Sequence, residues 1–398
     1  MVPERGVTGV NMPARFSEAL NDFSAGTAGG AVLVKVPARV NIIGEHSDYN
    51  NGFVLPMSTA IFTWATASPR DDRKIEVTSH NIGETCLFEL DGIQPGQPFS
   101  WVEYVKGVAA ELEGFGIVLR GADILIESDI PLGAGLSSSA SLELAVAKTL
   151  LAVVGESVAG PELAKLCQKA EQNYAGVRCG IMDQYTLNCA EEGHAILLDC
   201  RSLEVFQIPM PPEFGFILTD CGVKHRLPDG RFNSRADECE AAVEILARNA
   251  PDIESLRDLR TDVLEVNRTA LGDVLYRRCR HVVSENERVK SAVQAIEDGE
   301  LQKLGALFDA CHTSLRDDYE VSCDELEALV KAANASNGVF GARMVGAGFG
   351  GCVLSVCRSD RVSEVATEIR ANYATVTGQE PWQHIVEPAK PARVITQS

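Results

Sequence analysis

Apolar and polar positions along this chain repeat with two periods. Residues 32–36 read as a strand, and residues 53–68 and 74–79 alternate as strands around the polar turn Pro69-Arg70-Asp71-Asp72-Arg73. Residues 122–130 are strand-like and run into Pro131-Leu132-Gly133-Ala134-Gly135-Leu136-Ser137-Ser138-Ser139-Ala140-Ser141, after which residues 142–154 are helical. Helical spacing also marks residues 101–112 and 161–176. In the second of these Pro161 suits the first turn, and Leu163, Leu166, Cys167, Ala170 and Tyr174 form an apolar stripe. Glu171 sits about 40° beyond Cys167, on the flank of that stripe. Cys179-Gly180-Ile181-Met182-Asp183-Gln184-Tyr185 is a glycine-to-helix start with Asp183 in the first turn. Residues 195–199 and 214–220 are strand-like, and Ile208-Pro209-Met210-Pro211-Pro212 between them is the best linker candidate. Helices are predicted over 234–250, 273–298, 300–315 and 323–334, with a strand over 352–357. Ahead of the first strand, a short helix over 16–23 precedes a glycine break at 26–30.

Three stretches carry candidate chemistry. In the serine loop, 131–141, two glycines permit a tight turn, three serines supply hydroxyls, and a helix opens with free amides and a positive dipole end. That suits a phosphate. A plain serine-capped helix after a glycine turn has the same pattern, and the stretch alone does not separate the two. In the second stretch, Arg39, Glu45, His46 and Asp48 fall within ten positions beside Ile42, Ile43 and Gly44. They form either a solvated turn or a partly buried one, and buried charges need partners or ligands. In the third, Gly346, Gly348 and Gly351 formally match Gly-x-Gly-x-x-Gly, but a strand follows where a dinucleotide site requires a helix, so that reading fails. No Gly-x-x-x-x-Gly-Lys-Ser/Thr run is present.

Composition narrows the partners. The 398 residues favour two domains, and a net charge of −20 gives no general attraction to nucleic acid or anionic membranes. A bound nucleotide would need local devices: amides, an arginine or a metal ion. The twelve cysteines are scattered, with no Cys-x-x-Cys pair and no zinc spacing. No leader pattern or spanning segment is visible, so a reduced, cytoplasmic protein is expected.

Taken together, Arg39-Val40-Asn41-Ile42-Ile43-Gly44-Glu45-His46-Ser47-Asp48-Tyr49, the serine loop and 341–351 resemble the galactokinases of the GHMP small-molecule kinase superfamily. The likeness runs over roughly residues 30–357. It implies an α+β fold of two domains, 1–208 and 209–398, with the active site in the cleft between them, and leaves open whether the C-terminal tail returns to the first domain. It implies an ATP- and Mg²⁺-dependent sugar 1-kinase, a phosphotransferase with an alcohol acceptor, acting on galactose as a monomer or weak homo-oligomer. The family's sugar site maps onto Arg39, Glu45, His46, Asp48, Gly180 and Asp183. The phosphate loop maps onto Gly133, Ala134, Gly135, Leu136, Ser137, Ser138 and Ser139. Magnesium is implied on Ser139 and Glu171, a nucleotide contact at Ser79, and an adenine wall at Trp101 and Tyr104. Asp183 is the implied general base for the anomeric hydroxyl, with Arg39 balancing charge on the transferring phosphoryl group.

Two positions depart from the pattern. Phe232 stands where the family has a sugar-contacting tyrosine, and Pro37-Ala38-Arg39 replaces the usual Pro-Gly-Arg. The first opens an alternative, the same chemistry on a related or modified hexose. A catalytically silent sugar sensor is the other alternative, disfavoured because Ser139, Glu171 and Asp183 are all present.

Overall fold

The computed structural model describes residue 13 and residues 16–17, 32–223, 230–248 and 250–395. Most of the helix expected at 16–23, and all of the break at 26–30, lie outside the described residues.

Among these residues the strands form two sheets. In the larger, β1 (Val32–Asn41) pairs antiparallel with β3 (Pro56–Pro69), and β3 pairs with β6 (Ala122–Ser128). Beyond β6 lie β4 (Lys74–Ser79), the parallel neighbour, and β5 (Glu84–Glu89) at the edge. β7 (His194–Asp199) joins β2 (Phe53–Val54) and β8 (Val205–Pro209) to the same sheet. The other sheet runs β10-β11-β9-β12, from Val339–Met344, Cys352–Arg358, Phe214–Asp220 and Gln383–Ile385. The Pro-rich stretch 208–212 overlaps the connection, since its first two residues end β8 and residues 210–213 link β8 of the first sheet to β9 of the second. The tail crosses back, because β13 (Arg393–Ile395) pairs with Leu33–Lys35 of β1.

Helices α1 (Trp101–Gly114), α2 (Ser138–Val154) and α3 (Gly160–Ala170) cover one face of the first sheet, and α4 (Met182–Cys189) packs beside them. Their core interleaves Val34, Val36 and Ala65 with Val105, Leu144 and Leu166. The remaining helices are α5 (Arg231–Ala247), α6 (Thr261–Val266), α7 (Arg268–Glu297), α8 (Leu301–Asp317), α9 (Asp324–Asn334) and α10 (Val362–Thr377); α8, α9 and α10 pack on the second sheet, α7 packs on α8 and reaches β2 and β8 of the first, and α5 and α6 pack on α7. A further core is continuous from Ile42, Ile43 and Leu55 of the first sheet's rim to Phe216, Phe308 and Leu354 of the second. That shared apolar seam holds the two sheets as one body and fixes the loops between them. No helix among the described residues is long and apolar enough to cross a membrane.

Two local details differ from the periodicity. The helix expected over 161–176 ends at Ala170, and Glu171–Ala175 forms a π-turn. Such a wider turn is a recurrent feature of functional sites. It leaves Glu171 buried while Gln172 and Asn173 stay exposed, so Glu171 is not a surface acid. The β1–β3 register also shifts between Pro37 and Ala38. Proline cannot donate to the ladder, and β3 carries two extra residues there, Ala60 and Ile61, so that Ala38 and Arg39 meet β3 in the new register.

Candidate active site

The three polar stretches meet. Arg39, Glu45, His46 and Asp48 line one cavity of about 180 Å³, together with Gly133, Gly135 and Leu136 to Ser139 of the serine loop. Glu171, Gly180, Asp183 and Phe232 complete its wall, as do Val345, Gly346, Ala347, Gly348 and Gly350 from the third stretch. Ala134 is not a lining residue. It is buried behind the loop, where its carbonyl accepts the Cys352 amide at 3.2 Å.

The serine loop is more than a capped helix. Ser137, the residue before α2, takes a left-handed backbone (φ 61°), and no side-chain capping bond forms at this helix start. Its buried hydroxyl has no partner among the described residues. The loop's curvature is set from outside. A Cβ on Gly346 would stand 2.6 Å from the Gly135 Cα, and one on Gly135 would stand 2.6 Å from the Val345 carbonyl oxygen. Glycine at both positions lets the third stretch lie backbone-to-backbone on the serine loop. His46 (φ 60°) and Phe349 (φ 62°) repeat the left-handed conformation in the other two stretches. For non-glycine residues it costs on the order of 1–3 kcal/mol each and concentrates at functional sites.

Arg39, just past the register shift, donates from Nε to Asp183 Oδ1 at 2.8 Å and from Nη1 to the Gly135 carbonyl at 2.6 Å. One guanidinium thus ties the serine loop to the first turn of α4. Gly180 lies against Asp48 so closely that a Cβ there would meet Asp48 Oδ2 at 2.2 Å. Gln172 and Gln168 steady this floor by donating to the Cys179 carbonyl at 2.7 and 3.3 Å. Glu45 pairs with Arg343 at 2.5 Å and accepts the Gly346 amide at 3.2 Å. It therefore joins the first stretch to the third as well as facing the cavity. His46 Nδ1 bonds the Tyr49 hydroxyl, which bonds Tyr319, both at 2.8 Å, and the Phe232 ring packs 5.8 Å from the imidazole.

The charges are unequal. Burial, with His281 and Arg235 nearby, lowers His46 to about 3, so the imidazole is neutral. Burial and then the Asp183 charge push Asp48 up to about 6 and Glu171 up to about 7. Glu143, buried beside Glu171, is driven well above the ordinary carboxylate range by the same two causes, burial and its neighbour's charge. Ser139 hydrogen-bonds Glu171. Asp48, Glu143 and Glu171 therefore lie close enough to Asp183 for its charge to raise them, and Arg39 is paired with Asp183. A hard divalent cation, which prefers oxygen ligands, suits that surplus, and Ser139 and Glu171 offer a hydroxyl and a carboxylate for it.

Three regions of the chain match models of known families: the galactokinase galactose-binding signature at 21–69, the N-terminal domain of GHMP kinases at 103–190 and their C-terminal domain at 292–375. A galactokinase from Chloroflexus aggregans is 45% identical over 347 residues, covering 87% of this chain and 89% of its own. The chain belongs to the galactokinase family. Dog galactokinase is 40% identical over 357 residues, 86% of this chain and 88% of its own. A Lactococcus lactis galactokinase solved with galactose superposes with a TM-score of 0.89 at 35% identity, covering 95% of this chain and 99% of its own. Methanococcus jannaschii mevalonate kinase, at 17% identity and a TM-score of 0.66 over 92% of this chain and 100% of its own, shares the fold.

Within this galactokinase fold, three expected nucleotide contacts stand apart from the cavity. Ser79 ends β4, and Trp101 donates its indole N–H to Glu84 Oε2 at 2.8 Å. Tyr104 is buried with Ala175 and Val177, its hydroxyl unpartnered among the described residues. None of the three lines the cavity. Periodicity also passed over Glu143, Gln184 and Arg343. A signal existed for Glu143, since it falls one helical turn after Ser139 and so shares its face of α2.

Proposed function

We infer that this chain is an ATP-dependent sugar 1-kinase that phosphorylates galactose at its anomeric hydroxyl. The observation that carries the reading is the Arg39–Asp183 pair, set between the serine loop and the acids of the first stretch in one cavity. The amides opening α2 suit the ATP phosphates, with a helix dipole behind them. Glu45, Asp48 and neutral His46 suit a sugar, because they accept or donate hydrogen bonds in fixed directions.

Phosphoryl transfer asks mainly for positioning and charge stabilisation. Asp183 faces the acceptor hydroxyl in this scheme and takes its proton late, as the oxygen–phosphorus bond forms and ADP leaves. Arg39 orients that carboxylate and offsets charge building on the transferring group. Ser139 and Glu171 would hold Mg²⁺, which supplies charge neutralisation on the phosphates when bound. The free thiols and the acidic surface support a cytoplasmic location.

Phe232 favours one variation on this reading. Its ring lines the cavity and offers no hydroxyl, so a hexose altered at the hydroxyl nearest it fits the same machinery. A panel of hexoses with ATP and Mg²⁺, scored by ADP release, tests both. Galactose turnover is expected. No turnover on any hexose overturns the kinase reading, and preference for another sugar replaces galactose with that sugar.

A further inference from the structure

The left-handed backbone of His46, at φ 60°, is held from both sides. Two peptide planes flank its Cα. Rotation of the Glu45–His46 plane sets its φ, and rotation of the His46–Ser47 plane sets its ψ. A side chain grips each plane by its carbonyl. His281 Nε2 donates to the Glu45 carbonyl at 3.1 Å, and Asn50 Nδ2 donates to the His46 carbonyl at 2.8 Å. A carbonyl oxygen only accepts, so Nε2 of His281 carries a proton whether its imidazole is neutral or charged. Both donors are buried, and neither lines the cavity.

The grip on the first plane is itself fixed. His281 Nδ1 lies 3.0 Å from Ser314 Oγ of α8, and its ring packs 4.6 Å from that of Tyr319. About one helical turn further along α7, Glu285 accepts the Gly44 amide and Asn286 accepts the Phe53 amide, both at 2.8 Å. The helix thus holds the first stretch by its backbone and leaves the side chains of Glu45, His46 and Asp48 to the cavity. A left-handed non-glycine residue is strained, and losing a buried hydrogen bond so that a carbonyl is left unpaired costs free energy of the same order. With one bond removed, the plane it held can turn toward the right-handed conformation that ordinary residues prefer. That turn carries the imidazole away from its place beside Glu45 and Asp48. We propose that His281 is a positioning residue of the sugar site, which together with Asn50 locks His46 in its left-handed conformation and so aims the imidazole at the substrate. This rests on the reading of His46 as a sugar contact.

The test measures KM for galactose and for ATP in the full-length protein, with galactose affinity read by calorimetry. His281→Phe keeps a ring to pack on Tyr319 and removes the donor. It should raise KM for galactose about tenfold, the size of the strain it leaves unopposed, and leave KM for ATP unchanged. His281→Gln, whose amide nitrogen can stand near the place of Nε2, should recover most of the loss. Asparagine tolerates the left-handed region, so in a His46→Asn background His281→Phe should cost little further galactose affinity. Losses that add, a loss shared equally by galactose and ATP, or a lowered thermal midpoint with KM for galactose unchanged overturns the inference and leaves His281 as packing. Should His281→Phe not fold, Asn50→Leu, which releases the other plane, must show the same selective loss. His46→Asn alone separates the two readings. If it leaves galactose affinity intact, the assignment of His46 to the sugar is what fails. If it weakens galactose binding while His281→Phe and Asn50→Leu do not, only the positioning role fails.

Discussion

Two groups of acids, some lining the cavity and some behind it, are paired with cations in different ways. In one, Glu45 pairs with Arg343 at 2.5 Å and Glu285 with Arg288 at 2.6 Å, two acids on two guanidiniums. The Arg343 guanidinium also donates to the carbonyls of Ile42 at 2.7 Å, Met344 at 2.8 Å and Asn41. The Gly44 amide and the Cys311 thiol donate to Glu285 at 2.8 and 3.0 Å. Burial alone would raise Glu285, but Arg288 and its other neighbours bring it down to about 2. In the other group Arg39 pairs with Asp183 and lies near Asp48, Glu143 and Glu171 have each other and Asp183 as charged neighbours, and burial raises Asp48, Glu143 and Glu171, as it also raises Glu45 against the pull of Arg343. Charge balance separates the jobs. The paired acids staple the first stretch to the third, whereas Asp48, Glu171 and Asp183 of the surplus group line the cavity and Glu143 lies behind it. The distinction also disposes of a tempting reading. Glu45, Glu285 and Cys311 lie close enough to hold a metal ion, yet two guanidiniums already neutralise them.

The sharpest way to break the comparison is at the surplus end. Asp183→Asn keeps the shape and removes the proton acceptor. Turnover should fall roughly 10²- to 10⁴-fold, with the thermal midpoint and galactose affinity nearly unchanged. Near-normal turnover in a folded protein would reduce Asp183 to a positioning role. At the balanced end the loss should appear in stability. Arg343→Met strands Glu45 in the core and should cost about 3–5 kcal/mol in urea unfolding. Adding Glu45→Gln should recover much of that, since no unpaired charge remains. If the single and double variants are equally unstable, the packing of Arg343, rather than its charge, is what matters.

Acidity gives a smaller contrast between the groups. The folded value of Asp48, about 6, lies above its ordinary 3.8. Between those values the folded protein keeps a proton that the unfolded chain has lost, so stability falls as pH rises from about 4 to about 6 and then levels off. Asp48→Asn should remove about 1–3 kcal/mol of that slope in the ligand-free protein. Glu285, shifted down, contributes in the opposite sense: its stabilisation is present above the ordinary glutamate value and is lost as pH falls toward about 2. Unfolding curves from pH 4 to 8 for both proteins check the sign. An unchanged slope in Asp48→Asn would mean that Asp48 is ionised in the fold throughout that range.

The same division explains what the sequence disclosed. Strands with clean alternation or dense apolar runs were read to the residue, as at Lys74–Ser79 and Phe214–Asp220. Edge strands such as Glu84–Glu89, largely exposed and polar, gave no such signal. The helix Val362–Thr377 did carry one in Val365, Ile369 and Tyr373, spaced four apart, and was passed over. At the site, the groups facing the cavity were legible because they cluster in short stretches. Their supports were not. Arg343 follows Glu45 by 298 positions along the chain, and only the fold brings the two together. Glu171 keeps its place one helical turn past Cys167, and the 3.6-residue period fails only beyond it, in the π-turn that begins there.

The smallest predicted effect concerns Phe232, at the boundary between the two groups. Its ring lies 5.8 Å from His46 and 5.5 Å from Tyr49, whose hydroxyl is already bonded to His46 and Tyr319. The local polar atoms are therefore largely occupied, and the ring completes the wall by packing. Phe232→Tyr adds one hydroxyl at a cavity-lining position. A net hydrogen bond to sugar is worth about 0.5–1.5 kcal/mol, so kcat/KM for galactose should rise by about two- to tenfold relative to hexoses altered at the facing hydroxyl. Competition assays with paired sugars measure that ratio directly. If instead every sugar loses activity equally, the new hydroxyl has found no partner on the substrate, and the specificity of this chain is set by Glu45, His46 and Asp48 without help from position 232.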